Sequence, residues 1–312
     1  MQDNSIQFEP ATERTEVIAR YEELRYGTFI NFGMWSVNDQ PVSKIETGPL
    51  PPPEAYHPIN LDVDQWLAVF KEAGMRYAVL DVKGWHGFAL WDSKYSDYDV
   101  AASGNKTDVV AEFVNTCRKY EVAPCFNYGL GVDVAHRREK GMTDDEWYEH
   151  ANNQIREVLT NYGPITTMWF DGLSWRDFPE QQVRRAYETV KSLQPDCLVV
   201  MHAPGGSPLK FWPTDVFQPG QHLPPPKGHN PWMKRDGKTY YIPMEVIGWL
   251  TTPGQIVGDQ KSTRPLEALL KNYCDVTNCG ANLTLVVWPN SEGKLPANQA
   301  ERLLELGEAI NR

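Results

Sequence analysis

A run of apolar, β-prone residues that ends on a carboxylate is the strongest chemical signal in this sequence. Residues 166–170 lead directly into Asp171 and Gly172. Hydrophobic runs of this length, bounded by turn residues, are typical of parallel strands that are covered on both faces. Because α/β folds place their reactive groups at the carboxyl ends of such strands, Asp171 is a candidate catalytic carboxylate. The simpler alternative is that Asp171 caps the next helix or pairs with a nearby arginine.

Seven further segments have the pattern of strands, and helical patterns separate most of them. The other strand segments are 26–33, 76–83, 122–128, 197–203, 216–217, 240–246 and 283–288. Helices are predicted over 13–24, 62–73, 108–120, 144–162, 180–192, 265–273 and 297–310. This alternation predicts a (β/α)8 TIM-like barrel in one catalytic domain, residues 1–312 with an N-terminal arm over 1–20, in which long loops replace some helices. A doubly wound sheet is the alternative.

A barrel would bring the ends of these strands together. The residues expected there are Asn31, His86, Tyr128, Asp171, His202, Asp215, Glu245 and Trp288. The sequence offers no serine or cysteine nucleophile with a partnered histidine, no GxGxxG turn and no P-loop. The histidines lack HExxH-type spacing, so we expect neither a metal nor a cofactor. Paired carboxylates beside aromatic rings indicate glycoside hydrolysis, in which one attacks or activates water and the other protonates the leaving oxygen.

The overall composition restricts the class of partner. The chain carries a net charge of -11 without any Lys/Arg run, which disfavours nucleic acid and anionic membranes. It contains 11 Trp, 14 Tyr and 11 Phe, several of them in turn-rich stretches, which suits stacking against sugar rings. We therefore expect a carbohydrate substrate and a soluble protein, either cytoplasmic or, after removal of a leader, periplasmic or secreted. The oligomeric state stays open.

Several motifs resemble those of the family 29 α-L-fucosidases. Residues 24–36 resemble that family's ARFGIFIHWGLYS opening, while 73–80 and 87–96 look like its AGAKYVVL and GFCLWDSKYT segments. Residues 161–164 together with 169–172 are similar to NYGPIDVLWFDG, whose aspartate is the family's nucleophile, and 282–295 resemble the NLLLNIGPDADG close. The resemblance spans residues 20–308. It implies an imperfect (β/α)8 barrel, a retaining mechanism with a glycosyl-aspartate intermediate on Asp171, and the absence of the β-sandwich that often follows.

The sequence departs from this family at positions that grip the sugar. Asn31 stands where the family has a histidine, and the family's KHHDGF is KGWHGF at residues 83–88, so its two adjacent histidines are missing. Each lost hydrogen bond to the sugar is worth about 1 kcal/mol net. The sugar therefore stays open between terminal α-L-fucose and a related galacto-configured residue, including an anhydro, sulfated or polymeric one. A catalytically silent sugar-binding relative is the other alternative.

The family carries its acid/base on a variable loop, which leaves several carboxylates to consider. Glu245 resembles the WET or PAEV segment that supplies or neighbours it, Asp215 is the alternative, and Glu54 on the proline-rich loop is a third candidate. The hypothesis is that Glu245 protonates the leaving oxygen, with its carboxyl about 5–5.5 Å from that of Asp171 and a pKa raised by apolar neighbours. The residues expected to contact the sugar are Asn31, Trp35, Glu54, Lys83, Trp85, His86, Tyr128, Trp169, His202, Trp249 and Trp288.

Overall fold

Eight parallel strands form the centre of the computed structural model, which describes residues 8–38, 47–175, 178–204, 209–220, 229–252 and 262–311. The strands lie in the order β6-β5-β4-β3-β2-β1-β10-β9, and a parallel bridge between Phe217 and Met244 connects the two outer ones. The sheet is thus a nearly closed barrel, and the predicted (β/α)8-like architecture is confirmed. The barrel strands are β1 (Tyr26–Ile30), β2 (Tyr77–Lys83), β3 (Ala123–Gly129), β4 (Thr167–Asp171), β5 (Leu198–His202), β6 (Val216–Gln218), β9 (Glu245–Trp249) and β10 (Asn282–Val287).

Helices cover most of the outside of this barrel. Within the described residues no helix joins β5 to β6, and a hairpin of β7 (Trp232–Arg235) and β8 (Lys238–Tyr241) stands between β6 and β9. The described residues between β5 and β9 thus contain no helix, in agreement with the prediction that some helices of the barrel are replaced. None of the described helices is long and apolar enough to cross a bilayer. The helices are α1 (Glu16–Glu22), α2 (Met34–Val37), α3 (Val63–Glu72), α4 (Val109–Tyr120), α5 (Asp144–Asn161), α6 (Glu180–Leu193), α7 (Leu266–Asn278) and α8 (Ala297–Ile310).

Side chains alternate along each strand between the barrel interior and the surrounding helices. The outward residues pack with the helices in one large apolar core, whereas the inward residues form a second, smaller cluster. Because the period of a strand is two residues, the next inward side chain of each strand lies at the carboxyl end of the barrel. The inward residues of the second cluster are Phe29, Val79, Cys125, Trp169, Val200, Val216, Ile247 and Val286.

The predicted strand over residues 240–246 is divided in the structure. Its first residues end β8, and β9 begins only at Glu245, after Pro243. Proline has no N–H to donate to a strand ladder, so the apolar run that looked continuous in the sequence is interrupted there. Glu245 consequently lies at the amino end of its strand. Asp215 directly precedes Val216, the first residue of β6, so it also lies at the amino end of its strand.

Candidate active site

Eight inward side chains, one from each barrel strand, lie at the carboxyl end of the barrel. We call them the mouth layer, and they are Asn31, Asp81, Asn127, Asp171, His202, Gln218, Trp249 and Trp288. Five of them were predicted as site residues from the sequence. Asp81, Asn127 and Gln218 were missed, although a usable signal existed. Each of these three lies two residues after an inward apolar residue of its own strand, which is the spacing that brings the next inward side chain to the end of the barrel.

Asp171 lies at the end of β4, with a quarter of its side chain exposed (24%). Its Oδ1 atom is 3.2 Å from Nδ1 of His202 and accepts a hydrogen bond of 2.6 Å from the Gly172 N–H. Gly172 has a φ of +79°, a left-handed conformation that favours glycine and that turns the chain sharply after the carboxylate. Asp171 and His202, both expected at the carboxyl ends of strands, thus lie in contact.

The environment of Asp171 favours the ionised carboxylate. Burial alone would raise its pKa, but His202, the Gly172 N–H and a hydrogen bond from Trp85 more than compensate, so the pKa lies below its ordinary value. The half-buried Trp85, which stands where the related family has a histidine, therefore contacts the predicted nucleophile. A partly exposed carboxylate that is ionised at neutral pH has the state that nucleophilic attack requires.

Asp81 is a second carboxyl group of the mouth layer, and its environment shifts its pKa in the opposite direction. Its Oδ1 atom accepts a hydrogen bond of 2.7 Å from Nδ2 of Asn127, and the residue is only 4% exposed. Burial raises the pKa of Asp81 to about 7, and the charge of Asp171 adds to this, while Asn127 and Lys83 oppose it. The site therefore contains two carboxyl groups whose environments move their pKa values in opposite directions, a pattern that is common in acid/base sites.

Three tryptophans line the opposite side of the mouth. The rings of Trp249 and Trp288 stack with centroids 5.7 Å apart and an interplanar angle of 6°, and Trp35 lies 5.6 Å from Trp288 in a tilted arrangement. Trp35 and Trp249 are half-buried, so part of each ring remains open. The three predicted residues thus come together as an apolar wall suited to the carbon-bound face of a sugar.

The side chains of Lys83 and Tyr128 lie on the outer face of the barrel, towards the helices, and their contact with the sugar stays a prediction. A shift in register between Asp81 and Lys83 places Lys83 opposite Tyr128, among the side chains that pack against the helices. Its fully buried ammonium is 2.6 Å from Oδ2 of Asp133 and 4.2 Å from the centroid of the Tyr128 ring. The Tyr128 hydroxyl donates a hydrogen bond of 2.8 Å to Gln154 of α5. Both residues fix the outer layer rather than the mouth.

Glu245 is held in the floor of the barrel, at the amino end of β9 rather than at the carboxyl end expected from the sequence, and its role as the acid/base stays a prediction. It is fully buried and accepts hydrogen bonds from the hydroxyls of Tyr21 (2.7 Å), Tyr77 (2.8 Å) and Thr284. It precedes Trp249 by four residues, so it lies about 13 Å below the mouth at the usual rise of a strand. Its pKa is raised to about 7, as predicted, but by burial in the floor, which the three hydroxyls oppose.

Asp215 is also structural. Its carboxylate accepts hydrogen bonds from the Tyr187 hydroxyl (2.7 Å) and the Val199 N–H (2.9 Å), and it forms an ion pair of 2.8 Å with Lys191. These contacts join α6 to the amino ends of β5 and β6. The carboxylate of Asp215 is thus occupied at the end of the barrel away from Asp171 rather than at the carboxyl end expected from the sequence, and its alternative role as the acid/base stays a prediction.

Glu54 is the one of the three predicted acids that lies on the side of the mouth. It is exposed on a short 3-10 turn, Pro53–Ala55. The next residue, Tyr56, packs with ring centroids 6.1 Å from Phe32 and 4.7 Å from Phe88, which follow β1 and β2 at their carboxyl ends. The turn is therefore anchored above the ends of these strands.

The remaining two predicted contacts are buried beside or below the mouth. His86 is 4% exposed and lines a narrow cavity together with Trp35, Asp81 and Trp85. Burial lowers the pKa of His86 to about 4, so its imidazole is neutral at neutral pH. Trp169 is fully buried in the barrel interior, two residues before Asp171, and forms part of the floor beneath it.

A buried cluster of side chains of the types that bind metal ions lies behind the mouth, at the outer face of the barrel. Ligand atoms of Asp133, His136 and His150 are within 4.8 Å of one another. The ammonium of Lys83 already pairs with Asp133, and His136 Nδ1 is 3.0 Å from the same carboxylate. Burial would raise the pKa of Asp133, but these two partners lower it below its ordinary value. The group therefore balances its charge internally, with a lysine where a cation would bind.

Comparisons with known proteins agree on one family. A sequence profile described as alpha-L-fucosidase matches residues 52–312. Alpha-L-fucosidase 1 of Arabidopsis thaliana is 26% identical over 305 residues, which are 91% of this chain and 57% of that protein, so the chain spans little more than half of this relative. The solved alpha-L-fucosidase isoenzyme 1 of Paenibacillus thiaminolyticus superposes with a TM-score of 0.78 at 22% identity, covering 96% of this chain and 76% of the other. The alpha-L-fucosidase AlfC of Lactobacillus casei, solved with α-L-fucose, gives 0.75 at 21% identity, covering 95% and 98%.

Proposed function

Because this chain belongs to the alpha-L-fucosidase family, we propose that it is a retaining glycoside hydrolase that removes terminal α-L-fucose or a closely related sugar. The observation that carries this proposal is Asp171, a partly exposed carboxylate at the end of β4 whose pKa lies below its ordinary value. It occupies the position of the nucleophile in the motif that resembles the family. A protein that only binds sugar would gain little from such a group at this place.

In the proposed reaction, the Asp171 carboxylate attacks the anomeric carbon and forms a glycosyl-aspartate. The bond between that carbon and the leaving oxygen breaks, and an acid donates a proton to the oxygen. The same group, now a base, takes a proton from water as the water cleaves the ester and regenerates Asp171. His202, 3.2 Å from Oδ1, would hold the carboxylate in position through both steps. The tryptophan wall of Trp35, Trp249 and Trp288 would support the apolar face of the sugar.

The acid/base in this proposal belongs to a loop at the mouth rather than to β6 or β9. Glu245 and Asp215 lie at the amino ends of their strands, whereas Glu54 lies above the carboxyl ends of β1 and β2. Glu54 is exposed and stands on a turn above the barrel. Catalytic hydrogen bonds in free enzymes are often long and shorten only when substrate binds. Glu54 is therefore the first acid/base candidate to test.

The test of the proposed function compares aryl glycosides, led by nitrophenyl α-L-fucoside, as substrates for the wild type, Asp171→Asn and Glu245→Gln. We expect the wild type to hydrolyse the fucoside and Asp171→Asn to lose at least about a thousandfold in kcat. Glu245→Gln is the matched control, since it makes the same carboxyl-to-amide exchange at the opposite end of the barrel. A 2-fluoro-fucosyl fluoride should add its glycosyl mass to the peptide that contains Asp171.

Azide distinguishes the acid/base from the nucleophile. A Glu54→Ala variant that lacks the acid/base should regain turnover with azide and release a glycosyl azide of retained configuration, because Asp171 still forms the intermediate. A nucleophile variant at Asp171 should give the inverted azide. Full activity of Glu54→Ala would assign the acid/base to another carboxyl group. If no glycoside of the panel is hydrolysed and no covalent adduct forms, the alternative of a protein that only binds sugar would replace the proposed enzyme.

A further inference from the structure

Asp81 is a member of the mouth layer to which the proposed mechanism gives no role. Its carboxyl lies on β2, two residues after the inward Val79, and lines the cavity beside Trp35 and His86. Among the described residues, Asn127 supplies the one hydrogen bond to it. A carboxyl group can accept about four hydrogen bonds. Asp81 therefore retains most of its capacity for a ligand, in the layer that also contains Asp171.

The position of Asp81 explains why residue 84 is a glycine. A Cβ atom built on Gly84 would lie only 2.7 Å from Oδ2 of Asp81, closer than real Cβ contacts occur. Position 84 is where the resembling family has the first histidine of its KHHDGF motif. The carboxyl of Asp81 thus occupies the space through which any side chain at position 84 would enter the cavity. A side chain at position 84 would therefore require the carboxyl group of Asp81 to move.

Two amides beside Asp81 also have free acceptor atoms. The Oδ1 atoms of Asn31, which directly follows β1, and of Asn127 on β3 are buried and accept no hydrogen bond from the described residues. Leaving a buried acceptor unpaired is unfavourable, so these atoms favour a ligand that donates a hydrogen bond. Asn31 stands where the related family has a histidine, next to the strand that carries Asp81. Three neighbouring strands therefore present oxygen acceptors in the region that imidazoles occupy in the family.

The charge of this region selects among the sugars left open by the sequence. The mouth layer contains two carboxyl groups and no lysine or arginine. Lys83, the basic residue nearest to Asp81 along the chain, is buried with Asp133 on the outside of the barrel. Among the described residues of the mouth layer, a sulfate ester beside Asp81 and Asp171 would meet negative charge without a compensating lysine or arginine, which is costly in a buried site. A neutral sugar with free hydroxyl groups fits the acceptors instead.

We propose that Asp81, together with Asn31 and Asn127, recognises adjacent free hydroxyls of a neutral sugar and replaces the family's missing histidines as the specificity-determining residue. This inference rests on the proposed function, because it concerns the same site. Asp81 binds the substrate away from the bond that is cleaved, whereas Asp171 reacts with it. Because a carboxyl group at position 81 takes the place of an imidazole at position 84, the two positions are coupled. We expect a histidine at position 84 to be accommodated only when Asp81 is removed.

Monodeoxy sugars test this directly. For each variant, kcat/KM is measured on nitrophenyl α-L-fucoside and on its 2-, 3- and 4-deoxy analogues. In the wild type, removing the hydroxyl that Asp81 binds should lower kcat/KM by at least about tenfold, since hydrogen bonds to charged groups are the stronger class. In Asp81→Ala the penalty for that one deoxy analogue should nearly vanish, while the penalties at the other positions remain. Glu245→Gln is the control, a buried carboxyl with a similarly raised pKa in the barrel floor.

The coupling between positions 81 and 84 provides a second test of the inference. Gly84→His alone should lose activity and thermal stability, and the double variant Asp81→Ala/Gly84→His should recover both relative to Gly84→His. Asp81→Asn, which keeps the shape of the side chain, serves if Asp81→Ala does not fold. Unchanged deoxy penalties in Asp81→Ala, a preference for sulfated fucosides, or a fully active Gly84→His would each overturn the inference.

The two proposals can fail separately. If the wild type hydrolyses none of the glycosides, the proposed function fails, and calorimetric titration with L-fucose and its deoxy analogues then replaces the kinetic comparison. Loss of discrimination for one hydroxyl in Asp81→Ala supports the inference in that case too. Equal discrimination by wild type and variant, or no binding of any of these sugars to the wild type, overturns it.

Discussion

Replacing Glu245 by glutamine tests whether the floor of the barrel takes part in the reaction or only in stability. The side chain accepts hydrogen bonds from Tyr21, Tyr77 and Thr284 and is fully buried at the amino end of β9. Glutamine keeps its shape and an acceptor oxygen but cannot titrate. We therefore expect Glu245→Gln to change how stability depends on pH while leaving turnover of the glycoside almost unchanged.

The size of the expected pH-dependent change in stability follows from the pKa of Glu245, which burial raises from 4.5 to about 7. Between these pH values the unfolded chain loses its proton while the folded protein keeps it. The stabilisation is thus fully present below pH 4.5 and is lost as the pH rises towards 7. The difference corresponds to about 3 kcal/mol of the free energy of unfolding. Asp81, whose pKa is also raised, contributes equally in wild type and variant and cancels in the comparison.

The assay is urea unfolding of wild type and Glu245→Gln at a series of pH values from about 4.5 to about 8. The stability of the wild type relative to the variant should fall by about 3 kcal/mol across this range. A difference that does not depend on pH would refute the raised pKa. Loss of a general acid/base costs about 10²–10⁴-fold in rate, so a drop of that size in kcat would show that Glu245 is catalytic after all.

Three other substitutions test the site and its supports. Lys83→Met should cost about 3–5 kcal/mol in chemical unfolding because it removes the cation paired with the buried Asp133 carboxylate, and Lys83→Met/Asp133→Leu should recover most of it; equal stabilities would argue against the ion pair. His202→Gln should move the acidic limb of the kcat/KM profile to higher pH, because His202 lowers the pKa of Asp171, and an unmoved limb would contradict that coupling. Trp249→Ala should raise KM for the fucoside about tenfold, or about 1.4 kcal/mol, with kcat little changed, whereas an unchanged KM would remove Trp249 from the sugar contact.

The sequence alone determined the elements, their order and the nucleophile candidate. Period-two apolar runs and amphipathic helices are local patterns, so they could be read without knowing what they pack against. Asp171 was identified in the same way, because a buried strand that runs into an acid and a glycine is visible in seven consecutive residues. The tryptophans of the mouth were found from their type and their places at strand ends.

Only the tertiary structure decided which acids share a site with Asp171. Glu245 and Asp215 looked equivalent to it in the sequence, yet Glu245 begins its strand and Asp215 directly precedes its own. The direction of a strand places one end about 13 Å from the other. Lys83 is turned away by a single shift of register, which reverses the face of every later side chain. Asp81 was hidden inside an apolar run. Its significance depends on a contact with Gly84 and Asn127 that the fold brings together and no local pattern records.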